Sequence, residues 1–247
     1  MLIDFAGQSV LVAGAARGIG RGIVEGFAAS GATVFAADRL LDEMADLPAT
    51  ASRVDLLNRA ALAGWVASCA EAGGRAPDVL VYVAGGVLGQ AAQPMETVTE
   101  ADWRAVLDAN LTGAFLASQA VVPGMKARGS GRIVFIASGA GLRTSLTGIQ
   151  AYASGKAGEI GLARQLGQEL GPFGITVNAV APGFQRTSPD YERQWAGYSA
   201  EQQAGLIERT AMRRAGTPAD IAHAVMFLAS EQAGFITGQC LSVSGSP

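Results

Sequence analysis

The chain has 247 residues, of which 49% are hydrophobic and 16% charged, enough to bury a substantial core within one domain. Its net charge of -3 provides no basic surface for nucleic acid, and we expect no segment that spans a membrane. Residues 1–6 do not resemble a secretory signal, so a cytoplasmic protein with a small-molecule partner is expected. Because Cys69 and Cys240 lack metal-type spacing and His223 is the single histidine, we expect neither a metal site nor a serine–histidine triad.

Short runs of β-branched residues alternate with longer, alanine-rich stretches of helical period, a pattern typical of βαβ units around a parallel sheet. Strands are predicted at Ser9–Ala13, Thr33–Ala37, Ala51–Asp55, Val79–Val83, Arg132–Ala137, Thr176–Val180 and Cys240–Val243. Helices are predicted at Gly18–Ser30, Arg59–Ala72, Glu100–Lys126, Gln150–Leu170 and Pro218–Ala229. The sequence therefore predicts an α/β fold in which residues 1–247 form a single doubly wound, Rossmann-type domain with a parallel seven-stranded sheet and helices on both faces.

The first predicted strand runs into a glycine-rich turn, Gly14-Ala15-Ala16-Arg17-Gly18-Ile19-Gly20. Gly14 permits the tight exit from the strand, Gly18 lets the backbone approach a pyrophosphate, and Gly20 lets the following helix pack closely. Asp38 follows the second strand, where a carboxylate accepts hydrogen bonds from ribose hydroxyls and repels a 2′-phosphate. A glycine cluster alone is common in such turns, but its position after the first strand favours a dinucleotide site.

A second group of polar residues lies later in the chain. Tyr152 and Lys156 are four residues apart in a predicted helix, which places the phenol and the ammonium on one face, and Ser138 follows a predicted strand. Because a nearby cation favours the phenolate, Lys156 is expected to lower the pKa of Tyr152 and make it a proton donor and acceptor. For Tyr152 and Lys156 alone, an ordinary helix surface would be the simpler explanation.

Together these motifs resemble the classical short-chain dehydrogenase/reductase family over nearly the whole chain. The resemblance implies hydride transfer between a carbinol carbon and a nicotinamide, with Tyr152 exchanging the proton, Ser138 bonding the reacting oxygen and Lys156 binding the nicotinamide ribose. Asn110 would complete the catalytic set by holding a water that links Lys156 to solvent. The implied cofactor contacts are Gly14, Gly18, Ile19, Gly20, Asp38, Asp55, Leu56, Ala84, Gly85, Tyr152, Lys156, Pro182, Gly183 and Thr187, and Arg17 either touches an adenosine phosphate or only covers the loop. Asp38 makes NAD the expected cofactor.

Three positions depart from the family pattern. Ala13 stands where Thr is usual, Tyr82-Val83 replaces Asn-Asn before Ala84-Gly85, and Val243-Ser244-Gly245-Ser246 replaces Val-Asp-Gly-Gly. Because the Asn-Asn pair is normally tied into backbone hydrogen bonds, its loss is expected to loosen the carboxyl edge of the sheet. No catalytic group is lost, so a non-catalytic dinucleotide-binding module is the less favoured alternative.

The substrate pocket is expected between residues 139–149 and residues 187–214, the second of which is interpreted as a covering segment. Its candidate contacts are Arg143, Gln150, Arg186 and Arg193, since arginines here would hold the carboxylate or hydroxyls of a sugar acid or polyol. Ordinary surface charge is the alternative for each arginine. Two further substrate classes stay open: a 3-oxoacyl-[acyl-carrier-protein], against which Asp38 and the acidic charge count, and a cyclic or aromatic alcohol. By resemblance, a homotetramer through the two long helices and the last strand is also expected.

Overall fold

The computed structural model describes residues 3–187 and 189–246, apart from the side chains of Pro189, Asp190 and Gln194. Its strands are β1 (Ser9–Ala13), β2 (Thr33–Asp38), β3 (Thr50–Arg53), β4 (Val79–Tyr82), β5 (Gly131–Ile136), β6 (Ile175–Pro182) and β7 (Cys240–Val243). They form one parallel, seven-stranded sheet in the order β3-β2-β1-β4-β5-β6-β7. The predicted fold class is therefore confirmed, and the strand order reverses between β1 and β4.

The described helices flank the sheet on both faces. They are α1 (Gly18–Ala29), α2 (Arg59–Ala72), α3 (Glu100–Leu107), α4 (Gly113–Arg128), α5 (Gln150–Leu170), α6 (Pro189–Ala196), α7 (Ala200–Arg209) and α8 (Pro218–Ala229). The helix predicted at Glu100–Lys126 is divided, because a π-helical turn at Asp108–Thr112 joins α3 to α4. Helices α6 and α7 occupy the segment that was predicted only as a polar cover.

Both faces of the inner strands β1, β4, β5 and β6 are buried, which explains why these strands are mostly hydrophobic instead of alternating. In β1, Val10 and Val12 pack into a cluster with Phe27 of α1 and Val225 of α8. Leu11, on the opposite face, packs into a second cluster with residues of α2, α4 and α5. This double covering fixes the carboxyl ends of the central strands as a rigid platform.

Helices α1 and α8 approach each other closely on one face. A Cβ on Gly22 would lie 2.6 Å from Pro218, and one on Gly26 would lie 2.9 Å from the Met226 sulfur. The start of α8 carries a capping box in which Thr217 and Asp220 bond each other's backbone N–H groups. The predicted start of α8 after Thr217 is confirmed.

The stretch Glu100–Arg128 is long and apolar enough to cross a membrane, with a mean hydropathy of 1.3, although we expected no such segment. Its apolar side chains have another role here. Ala114, Ala117, Val121 and Met125 are buried against the sheet in the core cluster that also contains Leu11. The stretch is a core helix.

Candidate active site

The carboxyl ends of the strands surround a cavity of about 600 Å³ at the point where the strand order reverses. Open α/β sheets bind their ligands at such a point. Of the predicted cofactor residues, those that line this cavity are Gly14, Arg17, Ile19, Asp38, Asp55, Leu56, Ala84, Gly85, Tyr152, Lys156, Pro182, Gly183 and Thr187. Gly18 and Gly20 instead pack against Thr187 and Gly14.

The glycine-rich turn is packed so tightly that side chains would collide. A Cβ on Gly14 would lie 2.4 Å from the Ala84 nitrogen, one on Gly18 would lie 2.1 Å from the Thr187 oxygen, and one on Gly20 would lie 2.0 Å from the Gly14 oxygen. The N-cap residue Arg17 makes no side-chain cap bond, so it leaves the first-turn N–H groups of α1 without a side-chain acceptor. Such N–H groups are suited to binding a phosphate.

The far end of the cavity carries carboxylates. Asp38 ends β2, and its two oxygens accept hydrogen bonds from the N–H groups of Ala16 (3.2 Å) and Leu40 (3.2 Å). These bonds hold the carboxylate beside the glycine turn. Arg17 pairs with Glu43 at the cavity rim, so its guanidinium is already engaged by a carboxylate.

The near end contains the predicted hydroxyl groups. Tyr152 is 4% exposed, lines the cavity together with Ser138, and has its hydroxyl oxygen 3.1 Å from that of Tyr191 on α6. Burial raises the pKa of Tyr152 above its usual value, and the hydrogen bonds with Ser138 and Tyr191 oppose this. We expected Lys156 to lower this pKa, but the net shift is upward because burial outweighs the contributions that lower it.

Lys156 itself is held by two hydrogen bonds. Its Nζ donates to the Ile136 carbonyl oxygen at 2.7 Å and to Glu159 Oε2 at 3.0 Å, inside the fold. Lys156 is 4% exposed and Glu159 is fully buried. Sequence reasoning missed Glu159, although its position three residues after Lys156 in a helix placed the two side chains on one face.

Asn110 lies in the π-helical turn and is completely buried. Its Nδ2 donates to the carbonyl oxygens of Gly86 (2.9 Å) and Val106 (2.7 Å), and its Oδ1 accepts from the Gly86 N–H (3.0 Å). Asn110 thus fixes the loop after β4 that forms one wall of the cavity. The water-holding role implied for it stays a prediction.

The sheet edge at Tyr82 is not loosened, contrary to expectation. The Tyr82 hydroxyl donates to the Ala109 carbonyl oxygen at 2.8 Å, so it ties β4 to the π-helical turn. The N–H groups of Val83 and Ala84 both donate to the Ala13 carbonyl, at 2.8 and 3.0 Å. A different side chain therefore anchors the same edge.

The four candidate substrate residues are separated in the structure, and only Arg193 lines the cavity. Arg143 is exposed, and Gln150 donates to the Gln93 carbonyl oxygen at 3.1 Å. Arg186 pairs with Glu192 at 2.7 Å and lies 5.2 Å from the centre of the Trp195 ring. Arg193 is therefore the candidate best placed to meet a substrate.

Two further cavity residues were not predicted. Tyr191 contacts Tyr152, and Gln185, 3% exposed, has no hydrogen-bond partner for either side-chain atom among the described residues. The Gln185 amide nitrogen lies against Gly216, since a Cβ on that glycine would stand 2.8 Å from it. The position of Gln185, two residues after Gly183, was a signal that sequence reasoning did not use.

Comparisons with known proteins agree with this geometry. A family model described as enoyl-(acyl carrier protein) reductase matches residues 14–245. The BbsD subunit of (2S)-[(R)-hydroxy(phenyl)methyl]succinyl-CoA dehydrogenase from Thauera aromatica is 38% identical over 244 residues, covering 95% of this chain and 94% of that protein. The 3-oxoacyl-[acyl-carrier-protein] reductase FabG of Escherichia coli (strain K12) is 36% identical over 250 residues, covering 98% of each.

Among solved structures, a 7α-hydroxysteroid dehydrogenase complexed with NADH and 7-oxo glycochenodeoxycholic acid superposes with a TM-score of 0.89 at 31% identity, covering 99% of this chain and 95% of that one. The chain belongs to the classical short-chain dehydrogenase/reductase family. It is an oxidoreductase of that family, acting on alcohol or ketone groups with a nicotinamide dinucleotide.

Proposed function

We propose that this protein is a cytoplasmic, NAD(H)-dependent oxidoreductase that interconverts a secondary alcohol and a ketone on a small hydroxylated or acidic substrate, such as a sugar acid or polyol. The observation that carries the proposal is one cavity with Asp38 at one end and both Tyr152 and Ser138 at the other. The carboxylate suits a free ribose, and the two hydroxyls suit a reacting oxygen.

The bound cofactor supplies a hydride acceptor or donor at its nicotinamide ring. The chain supplies placement and proton transfer. The Tyr152 hydroxyl exchanges the proton of the substrate hydroxyl, and Ser138 hydrogen-bonds the same oxygen. Lys156 lies within the cavity lining, where its ammonium can bind the nicotinamide ribose. Helix α6 places Tyr191 over Tyr152, so this segment shields the proton-transfer step from water.

The preference for NAD rests on Asp38. Its carboxylate is fixed by two backbone N–H groups, so it cannot turn away from a 2′-phosphate without losing them. Arg39 also lines the cavity and is the residue that would favour NADP. Steady-state kinetics of Asp38→Asn should show the NAD preference reduced or reversed, whereas Asp42→Asn, which removes a neighbouring exposed carboxylate, should preserve it. An equal or higher kcat/KM with NADP in the unaltered enzyme would refute the assignment.

Arg193 supports an acidic or hydroxylated substrate, since it lines both the main cavity and an adjoining one with Tyr191. A second class, acyl thioesters, is favoured by the names of the two relatives. One is a subunit of (2S)-[(R)-hydroxy(phenyl)methyl]succinyl-CoA dehydrogenase, and the other is a 3-oxoacyl-[acyl-carrier-protein] reductase. A screen of sugar acids, polyols, cyclic alcohols and acetoacetyl thioesters with both cofactors separates these classes. Turnover of thioesters alone would replace the proposed substrate class.

A further inference from the structure

Glu159 is a buried carboxylate beside the proposed catalytic group, and the mechanism above does not use it. It lies on α5, three residues after Lys156, and is 0% exposed. Its Oε2 accepts from Lys156 Nζ at 3.0 Å, and its Oε1 has no hydrogen-bond partner among the described residues. Burying a carboxylate with one oxygen unpaired costs free energy that an apolar side chain would not.

The contacts of Lys156 show what Glu159 does. Of the three N–H groups of the ammonium, one donates to the Ile136 carbonyl oxygen and one to Glu159. The ammonium is therefore held between β5 and α5, with a carboxylate in direct contact. A positive charge compensated at this distance acts on a neighbouring phenol as part of an ion pair, whose field falls off faster than that of a single charge.

We propose that Glu159 is a positioning residue, which restrains the Lys156 ammonium and offsets its charge, so that Lys156 stabilises the Tyr152 phenolate less than an unpaired lysine would. The consequence for turnover rests on the proposed proton-transfer role of Tyr152. The effect on the Tyr152 phenol itself does not, because it follows from the pairing of two buried charges on α5, the helix that carries Tyr152.

The other titratable groups near Glu159 do not account for this effect. The Glu159 charge also reaches Tyr82 on β4 and Cys240 on β7, and burial raises the pKa of both. Tyr82 already donates to Ala109. Tyr191 is a hydrogen-bond partner of the Tyr152 hydroxyl. Burial also raises the pKa of Glu159 to about 7, against the opposing Lys156 charge, so Glu159 is ionised in the alkaline range where a phenol titrates.

The test replaces the carboxylate by an amide of the same shape. In Glu159→Gln without cofactor, the phenolate absorbance of Tyr152, obtained by subtracting the matching Tyr152→Phe spectrum, should rise at a pH about one unit lower than in the unaltered protein. Glu169→Gln, the same change at an exposed site on α5, is the control and should leave the midpoint unchanged. An unchanged or higher midpoint in Glu159→Gln would overturn the proposal.

A second measurement needs no variant at Glu159. Carbon-13 labels on the Glu carboxyls and Tyr rings of the unaltered protein report both titrations by NMR. Glu159 should lose its proton below the pH at which Tyr152 does, and a Glu159 that stays protonated throughout would refute the offset. Because both measurements use cofactor-free protein, they stand apart from catalysis: substantial turnover by Tyr152→Phe would defeat the proposed function without altering either midpoint.

Discussion

The Tyr152 hydroxyl lies 3.1 Å from that of Tyr191 and shares the cavity lining with Ser138, in a site that excludes most solvent. Tyr152→Phe removes the proton-transfer oxygen but keeps the ring that packs with Val106 and Ile149. We expect turnover to be abolished and NAD binding to stay nearly unchanged, as measured by initial rates and by fluorescence titration of the cofactor. Substantial remaining turnover would show that another group transfers the proton.

Arg193 is the one candidate substrate arginine that lines the cavity, while Arg143 is exposed outside it. Arg193 is exposed in the protein alone, so if it pairs with an acidic or hydroxylated substrate, Arg193→Ala should raise the activation free energy that corresponds to kcat/KM by about 1.5–3 kcal/mol. Arg143→Ala is the matched control and should change little. Equal kinetics in both variants, on the substrate that the screen identifies, would mean that Arg193 is surface charge and would favour a cyclic or aromatic alcohol.

Glu159 also affects the stability of the fold. Its pKa is raised from 4.5 to about 7 on folding, chiefly because it is buried. A carboxyl with a raised folded pKa favours the folded state while it is protonated, and this contribution is lost as the pH rises through the folded pKa. The free energy of unfolding, measured by urea at several pH values, should therefore fall relative to Glu159→Gln between pH 4.5 and 7. A constant difference across this range would contradict the raised pKa.

At the scale of elements, the π-helical turn at Asp108–Thr112 joins the site to the sheet. Tyr82 donates to the Ala109 carbonyl oxygen in this turn, and a Cβ on Gly113 would lie 1.9 Å from the Tyr82 hydroxyl. Tyr82→Phe keeps the ring but removes the hydrogen bond to the Ala109 carbonyl, so we expect a loss of about 0.5–1.5 kcal/mol in the free energy of unfolding. Denaturant unfolding measures this. An unchanged midpoint would show that the turn is held by Asn110 alone.

How far the sequence predicts these elements depends on where their determinants lie. Helices α2, α5 and α8 have the predicted bounds, because their periodic faces and caps are local, as with Thr217 before α8. The interruption of the Glu100–Lys126 helix was not predicted, since it depends on contacts of Asn110 and Tyr82 with distant segments. Helix α7 was also missed, although Ser199 and Gln202 form a capping box that a search for this motif would have found.

At the scale of the molecule, the sheet brings together residues that sequence motifs predicted as site residues. Gly14, Asp38, Ser138 and Tyr152 leave four different elements and line one cavity, as the strand order requires. What the sequence did not predict are the pairings that burial creates. The packed fold buries Tyr152, and this burial is the largest cause of its raised pKa, with the Glu159 charge as a smaller one. The lowering of this pKa that was predicted from the Lys156 charge alone was therefore wrong.

The surface of the molecule supports the proposed homotetramer. Several large apolar side chains are exposed: Phe115 on α4 (43%), Phe173 after α5 (41%), Phe235 (105%) and Leu241 on β7 (40%). Strand β7 also forms one edge of the sheet, whose free backbone groups are suited to pairing with another copy. A monomer would leave both features in water, whereas association through α4, α5 and β7 would bury them.

Sedimentation velocity at micromolar concentration should therefore give a tetramer. Phe115→Glu should shift the protein to smaller species, because it places a charge within the expected α4 contact. Leu146→Glu is the matched control, since Leu146 is 68% exposed and lies on the loop before α5, outside the three elements expected to form the contact. A stable monomer in the unaltered protein would refute the assembly, and equal dissociation by both variants would place the interface elsewhere.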